Sequence, residues 1–159
     1  MTTKNGLRIL TILRDMPFTH GLASRHLKKL AAMAVEVNFA AGETIFQVGD
    51  EGMAIYLIEE GQIVVEAEVA GQGLVTILTL GPQELLGWSA LFPPRRKSST
   101  ARTVRPTWAI AIDVDQLLEA FKSDRELEAE IIRRVADVIA ERLRITRAQL
   151  LKNNAEKQK

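Results

Sequence analysis

Between Val35 and Leu78 no apolar run is long enough for a helix, and every run is broken by a turn. Val35-Glu36-Val37-Asn38-Phe39 alternates, Ala41-Gly42-Glu43 turns, and Thr44-Ile45-Phe46 extends again. Ala54 to Ile58, Ile63 to Val69 and Leu74 to Leu78 follow, separated by Gly49-Asp50-Glu51-Gly52, Glu59-Glu60-Gly61-Gln62 and Gly71-Gln72-Gly73. Such β-rich runs, rich in Val and Ile and spaced by turns, fold as antiparallel strands that must curl or stack to bury one face. Ala101 to Val104 and Trp108 to Ile112 have the composition of closing strands, and Asp113 ends the region. The prediction over 35–113 is an antiparallel double-stranded β-helix (jelly roll) barrel, with Gly42, Gly49, Gly61 and Gly71 at turns.

Helical periodicity flanks it on both sides. In the N-terminal segment, 1–34, Leu7, Ile9, Leu10, Ile12 and Leu13 lead to a stop at Pro17. A second helix runs from Leu22 to Ala34, with Ser24 as its expected cap. Beyond the strands, 114–151 contains a short helix with Leu117, Leu118 and Phe121 inward, and then a long one capped by Ser123-Asp124. Acids in the first turns of that helix, Glu126, Glu128 and Glu130, suit its dipole. A helix of roughly 25 to 28 residues is about 40 Å long, more than one small barrel covers. Its stripe of Leu127, Ile131, Ile132, Val135, Ile139 and Leu143 therefore predicts a homodimer paired through this helix. The other reading is that the helix folds back on its own barrel. The polar tail, 152–159, is expected to fray. The whole reads as one α+β domain, mostly β.

One stretch stands apart chemically. From Gly87 to Ile112 there are five cations, Arg95, Arg96, Lys97, Arg102 and Arg105, and no Asp or Glu, in a chain whose net charge is +1. The run begins at Gly87-Trp88-Ser89-Ala90-Leu91 and ends in the hydroxyls of Ser98, Ser99 and Thr100. Glycine for close backbone approach, the free N–H groups of a short helical turn, and cations beside hydroxyls together make an anion site, here a phosphate cradle. Read alone, the same run is also a solvated basic loop.

The remaining signals exclude more than they assign. With 47% hydrophobic and 26% charged residues the chain is an ordinary globular one, and no apolar run approaches a membrane span or a secretory signal. A cytoplasmic location is expected. There is no cysteine for a disulfide, a thiolate or a zinc site. His20 and His26 lack partners at metal spacing and read as surface or cap residues. Gly87-Trp88-Ser89 is no nucleophile elbow, because residue 91 is leucine where glycine is required. No catalytic residue and no metal is expected.

The order of parts, and the residues Phe39 to Phe46, Gly49-Asp50, Tyr56-Leu57-Ile58, Gly61, Leu80 to Gly87 and Ala90-Leu91-Phe92, resembles the cyclic-nucleotide-binding domain. The likeness runs from about Leu7 to at least Leu143. It implies a regulatory module whose phosphate-binding cassette spans Gly87 to Thr100, with Ala90-Leu91 as its small-plus-apolar pair. The resemblance sets Lys97 where the family grips phosphate with arginine, and Ser98-Ser99-Thr100 where small residues follow. It sets Trp88 where the family's glutamate accepts from the ribose 2′-hydroxyl. Arg95, Arg96 or, at a greater distance, Arg102 is implied as a substitute phosphate ligand. A lysine lacks the bidentate fork, and indole accepts no hydrogen bond. The expectation is therefore weak binding of cAMP, cGMP or another anionic small molecule, or none, with Trp88 stacked on a flat ligand or plugging the pocket. Bacterial relatives append a DNA-reading helix-turn-helix, for which the residues after Lys152 are too few, so no DNA contact is expected. A ligand-free dimerising scaffold and the sensor part of a truncated regulator are the alternatives.

Overall fold

The computed structural model describes residues 4–159. Helix α1 (Lys4–Asp15) buries Ile9 and Leu13, and α2 (Ser24–Ala32) buries His26, Leu27 and Leu30. Two expectations change here. Ala23, not Ser24, occupies the cap position of α2 and no side chain caps it; the backbone of Ala23 is extended and its carbonyl accepts from His26 and Leu27. His26 is not a surface residue. It lies one turn before Leu30 on the inward face of α2 and is buried with it.

Eight strands follow: β1 (Ala34–Phe39), β2 (Thr44–Phe46), β3 (Ala54–Glu60), β4 (Ile63–Val69), β5 (Gly73–Leu80), β6 (Leu85–Leu86), β7 (Thr100–Thr103) and β8 (Thr107–Asp113). They pair as two four-stranded sheets, β1-β8-β3-β6 and β2-β7-β4-β5, every ladder antiparallel. This is the expected jelly-roll arrangement, hydrogen-bonded as two sheets. The alternation of each strand sends one set of side chains inward, and Ile58, Ile63, Val65, Leu80, Leu86 and Ala101 form the buried cluster. Ile45, Phe46, Tyr56 and Leu78 pack at its margin, half-buried. That margin matters, because Ile45, Phe46 and Tyr56 also line a cavity.

Helix α3 (Val114–Ser123) leaves β8 directly and buries Val114, Leu117 and Phe121, while Leu118 is only half-buried. The chain divides into two compact units, up to Ser123 and from Asp124 onward. The second unit is α4 (Arg125–Lys157), 33 residues and about 50 Å long. Its cap is the expected one: the Asp124 carboxylate accepts from the Leu127 N–H at 3.0 Å. The helix outruns the expected length. Residues 152–157 are helical rather than frayed, since Gln149 to Lys157 contain neither glycine nor proline to stop them. Along α4, Leu127, Ile131 and Val135 are buried, Ile132 and Ile139 half-buried, and Leu143 exposed. No helix among the described residues is long and apolar enough to cross a membrane.

Candidate functional site

The site is assembled by two loops that zip together. After β6 the chain reverses at Gly87, whose φ is +89°, and a side chain there would press within 3.2 Å of the Ala54 carbonyl. Only glycine combines that conformation with that approach. A single 3-10 turn, Trp88–Leu91, follows; Ala90 and Leu91 are buried and do not line the cavity at Lys97. Gly52, in the loop before β3, packs directly on Ala90: an added Cβ would lie 2.5 Å from the Ala90 methyl. Backbone bonds then close the seam, Gly52 N to Arg95 O at 2.7 Å, Lys97 N to Asp50 O at 2.8 Å and Gly49 N to Lys97 O at 2.8 Å.

The cations of the run have different destinations. Arg95, with a positive φ, donates from Nε to Ala90 O at 3.0 Å and from an Nη to Gly52 O at 2.7 Å, and pairs with Asp115 of α3 at 2.9 Å. Arg96 donates to Gly49 O at 3.1 Å. Arg102 spans β7 to β4 and pairs with Glu66 at 3.1 Å. These three guanidiniums brace the backbone or another strand, and none of them lines the cavity at Lys97.

Lys97 is different. It is 95% buried, being 5% exposed, and its Nζ lies 3.3 Å from Ser89 Oγ, 3.4 Å from Gly87 O and 4.4 Å from the centre of the Phe46 ring. The two polar contacts are long and the third is a cation–π contact, so the ammonium is held loosely. Among the described residues no carboxylate is paired with it. Burial pushes its pKa down from 10.5 to about 8. It lines a cavity of about 340 Å³ together with Ile45, Phe46, Asp50, Glu51, Met53, Ala54 and Tyr56. The Tyr56 phenol is raised by burial and stays neutral at ordinary pH. A buried ammonium that faces a cavity and has no carboxylate paired with it among the described residues is a place for an anion.

Of the residues expected in the cradle, Gly87, Ser89 and Lys97 therefore come together. Ser98 is exposed, and Ser99 and Thr100 are half-buried on the way into β7. Trp88 packs edge-on against Phe92, centroids 6.2 Å apart, and is not a lining residue of the cavity. Phe46, Tyr56 and Met53 are wall residues that sequence reasoning passed over. Their positions carry only the signal of strand and turn, and the pairing of Phe46 with Lys97 joins residues far apart in the chain.

Three comparisons bear on this geometry. The sequence profile of the cyclic nucleotide-binding domain matches residues 36–124. The chain is 28% identical over 141 residues, 87% of its length, to the CRP-like cAMP-activated global transcriptional regulator of Mycobacterium tuberculosis, and spans only 60% of that protein. It is 33% identical over 97 residues, 56% of its length, to a cAMP-dependent protein kinase regulatory subunit of Dictyostelium discoideum, of which it spans 30%. Among solved structures, the Thermus thermophilus catabolite activator protein superposes with a TM-score of 0.69 at 26% identity, covering 87% of this chain and 63% of that one.

Proposed function

The chain belongs to the cyclic nucleotide-binding domain family, and on that premise we propose that it is a regulatory module that senses an anionic nucleotide-type ligand through Lys97 and acts through α4. The observation that carries the reading is the Lys97 ammonium, buried, facing the cavity and in no ion pair among the described residues. A cyclic phosphate bears the single negative charge that one ammonium neutralises. Binding is weak. Lysine offers a point charge rather than a fork, and Trp88 provides no acceptor for a ribose hydroxyl, a loss of about 1 to 3 kcal/mol or one to two decades in affinity.

Transmission starts at the first turn of α3, which is tied to the pocket twice. Val114 N donates to the carbonyl of the wall residue Met53 at 3.0 Å, and Asp115 holds Arg95 of the cassette. A ligand that pulls the Met53 loop or the cassette inward moves both attachments of α3. The ligand shifts the output only by as much as it prefers one helix arrangement over the other. The output element is α4, which pairs with a second copy along the face of Ile132 and Ile139, with Leu143 at its boundary. No reaction is assigned to the module.

The test is calorimetry of the purified chain against cAMP, cGMP and a cyclic dinucleotide, repeated with Lys97→Ala. Heat in the micromolar range or weaker that disappears in the variant is expected. Heat that persists without Lys97 would remove the lysine from the site. Silence against all three ligands would favour the second reading, a ligand-free scaffold, which the acidic Asp50 and Glu51 on the cavity wall support by opposing any anion.

A further inference from the structure

The chain has no cysteine, so its four methionine thioethers are its only sulfur. Three of them lie among the described residues, and their surroundings differ. Met16 is 5% exposed in the core, Met33 is half-buried at the end of α2, and Met53 is 56% exposed. An oxidant dissolved in water meets Met53 first.

Met53 is also a wall residue of the cavity that Lys97 faces. One point shows how near the two are. A Cβ built on Gly87 would lie 3.2 Å from the Ala54 carbonyl oxygen and 3.5 Å from Lys97 Nζ. The ammonium therefore sits beside the backbone of the residue that follows Met53. Adjacent Cα atoms are about 3.8 Å apart, and an unbranched side chain with three rotatable bonds can turn across such a gap.

The thioether offers an ammonium little, because its sulfur is a weak acceptor. Oxidation changes that. The sulfur lone pair attacks one oxygen of hydrogen peroxide, the O–O bond breaks, and the departing hydroxide collects the proton of the transferred OH as water. Sulfur gives up two electrons and becomes a polar S=O group. Lys97 has two long hydrogen bonds and no ion pair among the described residues, with Asp50 and Glu51 on the same cavity wall. A sulfoxide oxygen beside it completes a charge-assisted hydrogen bond.

We infer that Met53 is an oxidation site and that its sulfoxide, by accepting from Lys97, takes the place of the ligand's anion. This rests on the reading of Lys97 as the anion contact, and it gives that contact a second input. Met53 O is the acceptor for Val114 N of α3 at 3.0 Å, so ligand and oxidant act on one attachment of that helix.

The test treats the purified full chain with hydrogen peroxide and maps the added oxygen by peptide mass spectrometry. Met53 is expected to oxidise well before Met16 and Met33. Nucleotide affinity by calorimetry should then fall about tenfold or more, the worth of a charge-assisted hydrogen bond that the phosphate no longer makes. The proton affinity of Lys97, read from its Cε chemical shift against pH, should rise severalfold, because an acceptor favours the charged form. Met53→Leu keeps the volume and cannot form a sulfoxide, so peroxide should change neither quantity in it. Met53→Gln sets an amide oxygen at the same place and should produce both changes with no oxidant, which damage elsewhere could not do.

Met16 or Met33 oxidising as fast as Met53 overturns the inference. So does a Lys97 titration that stays put on oxidation, or an effect that survives in Met53→Leu. That titration needs no ligand, which separates the two readings. If calorimetry of the unoxidised chain is silent while the Lys97 titration moves on oxidation, the nucleotide falls and the oxidation site stands. If heat is the same before and after oxidation, the nucleotide stands and the inference falls.

Discussion

An ammonium withdrawn from water holds its proton less firmly, and Lys97 makes the site pH-dependent in a way an arginine could not. Its pKa in the folded chain is about 8 against 10.5 when solvated. Below pH 8 both folded and unfolded chains carry the proton, and the cost of burying the charge is present in full. Between about 8 and 10.5 the unfolded chain binds more protons, so the stability of the empty protein rises with pH and the cost is gone above 10.5. Anion binding runs the other way, because the neutral amine attracts no phosphate: affinity is expected to fall above pH 8, by at most about tenfold per pH unit. Lys97→Arg should flatten both profiles. Titrating urea stability and nucleotide affinity from pH 7 to 10 checks the pair, and a flat affinity profile in the unsubstituted chain would mean that Lys97 does not touch the ligand. None of this was legible from Arg95-Arg96-Lys97 as a string, in which three neighbouring cations look equivalent. What separates them is burial and what each reaches in the stretch from Phe46 to Gly52: Gly52 O for Arg95, Gly49 O for Arg96 and the Phe46 ring for Lys97.

Among elements, the cassette is held by Arg95 more than by any other side chain. Its guanidinium satisfies two half-buried carbonyls, Ala90 O and Gly52 O, and reaches Asp115, whose side chain is 64% exposed. Removing a donor from part-buried acceptors costs about 1 to 3 kcal/mol, whereas an ion pair to an exposed carboxylate contributes 0 to about 1. Arg95→Ala is therefore expected to destabilise the chain several-fold more than Asp115→Asn in urea unfolding. Equal losses would show that the ion pair, not the carbonyl contacts, secures the loop. The strands themselves were readable, since alternation and turn residues are local properties and the sheets only had to satisfy them. So was the Asp124 cap. Ser24 misled because a serine near a helix start caps only if the backbone enters at that residue, and here the turn from Thr19 to Leu22 delivers Ala23 to that position.

For the whole molecule, the proposed pairing of two copies can be tested directly, because the chain has no cysteine of its own. Expected from sequence as one continuous dimer stripe, Leu127 to Leu143 divides into two in the structure. Leu127, Ile131 and Val135 are buried, while Ile132, Ile139 and Leu143 keep accessible surface. Periodicity could not make this division, because both stripes recur at helical spacing. If two copies pair along Ile132 and Ile139, with Leu143 at the boundary, single cysteines report the path. Ile139→Cys should oxidise to a disulfide-linked dimer at low protein concentration, and Leu150→Cys should do so slowly or not at all. Rapid cross-linking at both positions would instead mean that the two helices zip to their ends, past the proposed boundary at Leu143.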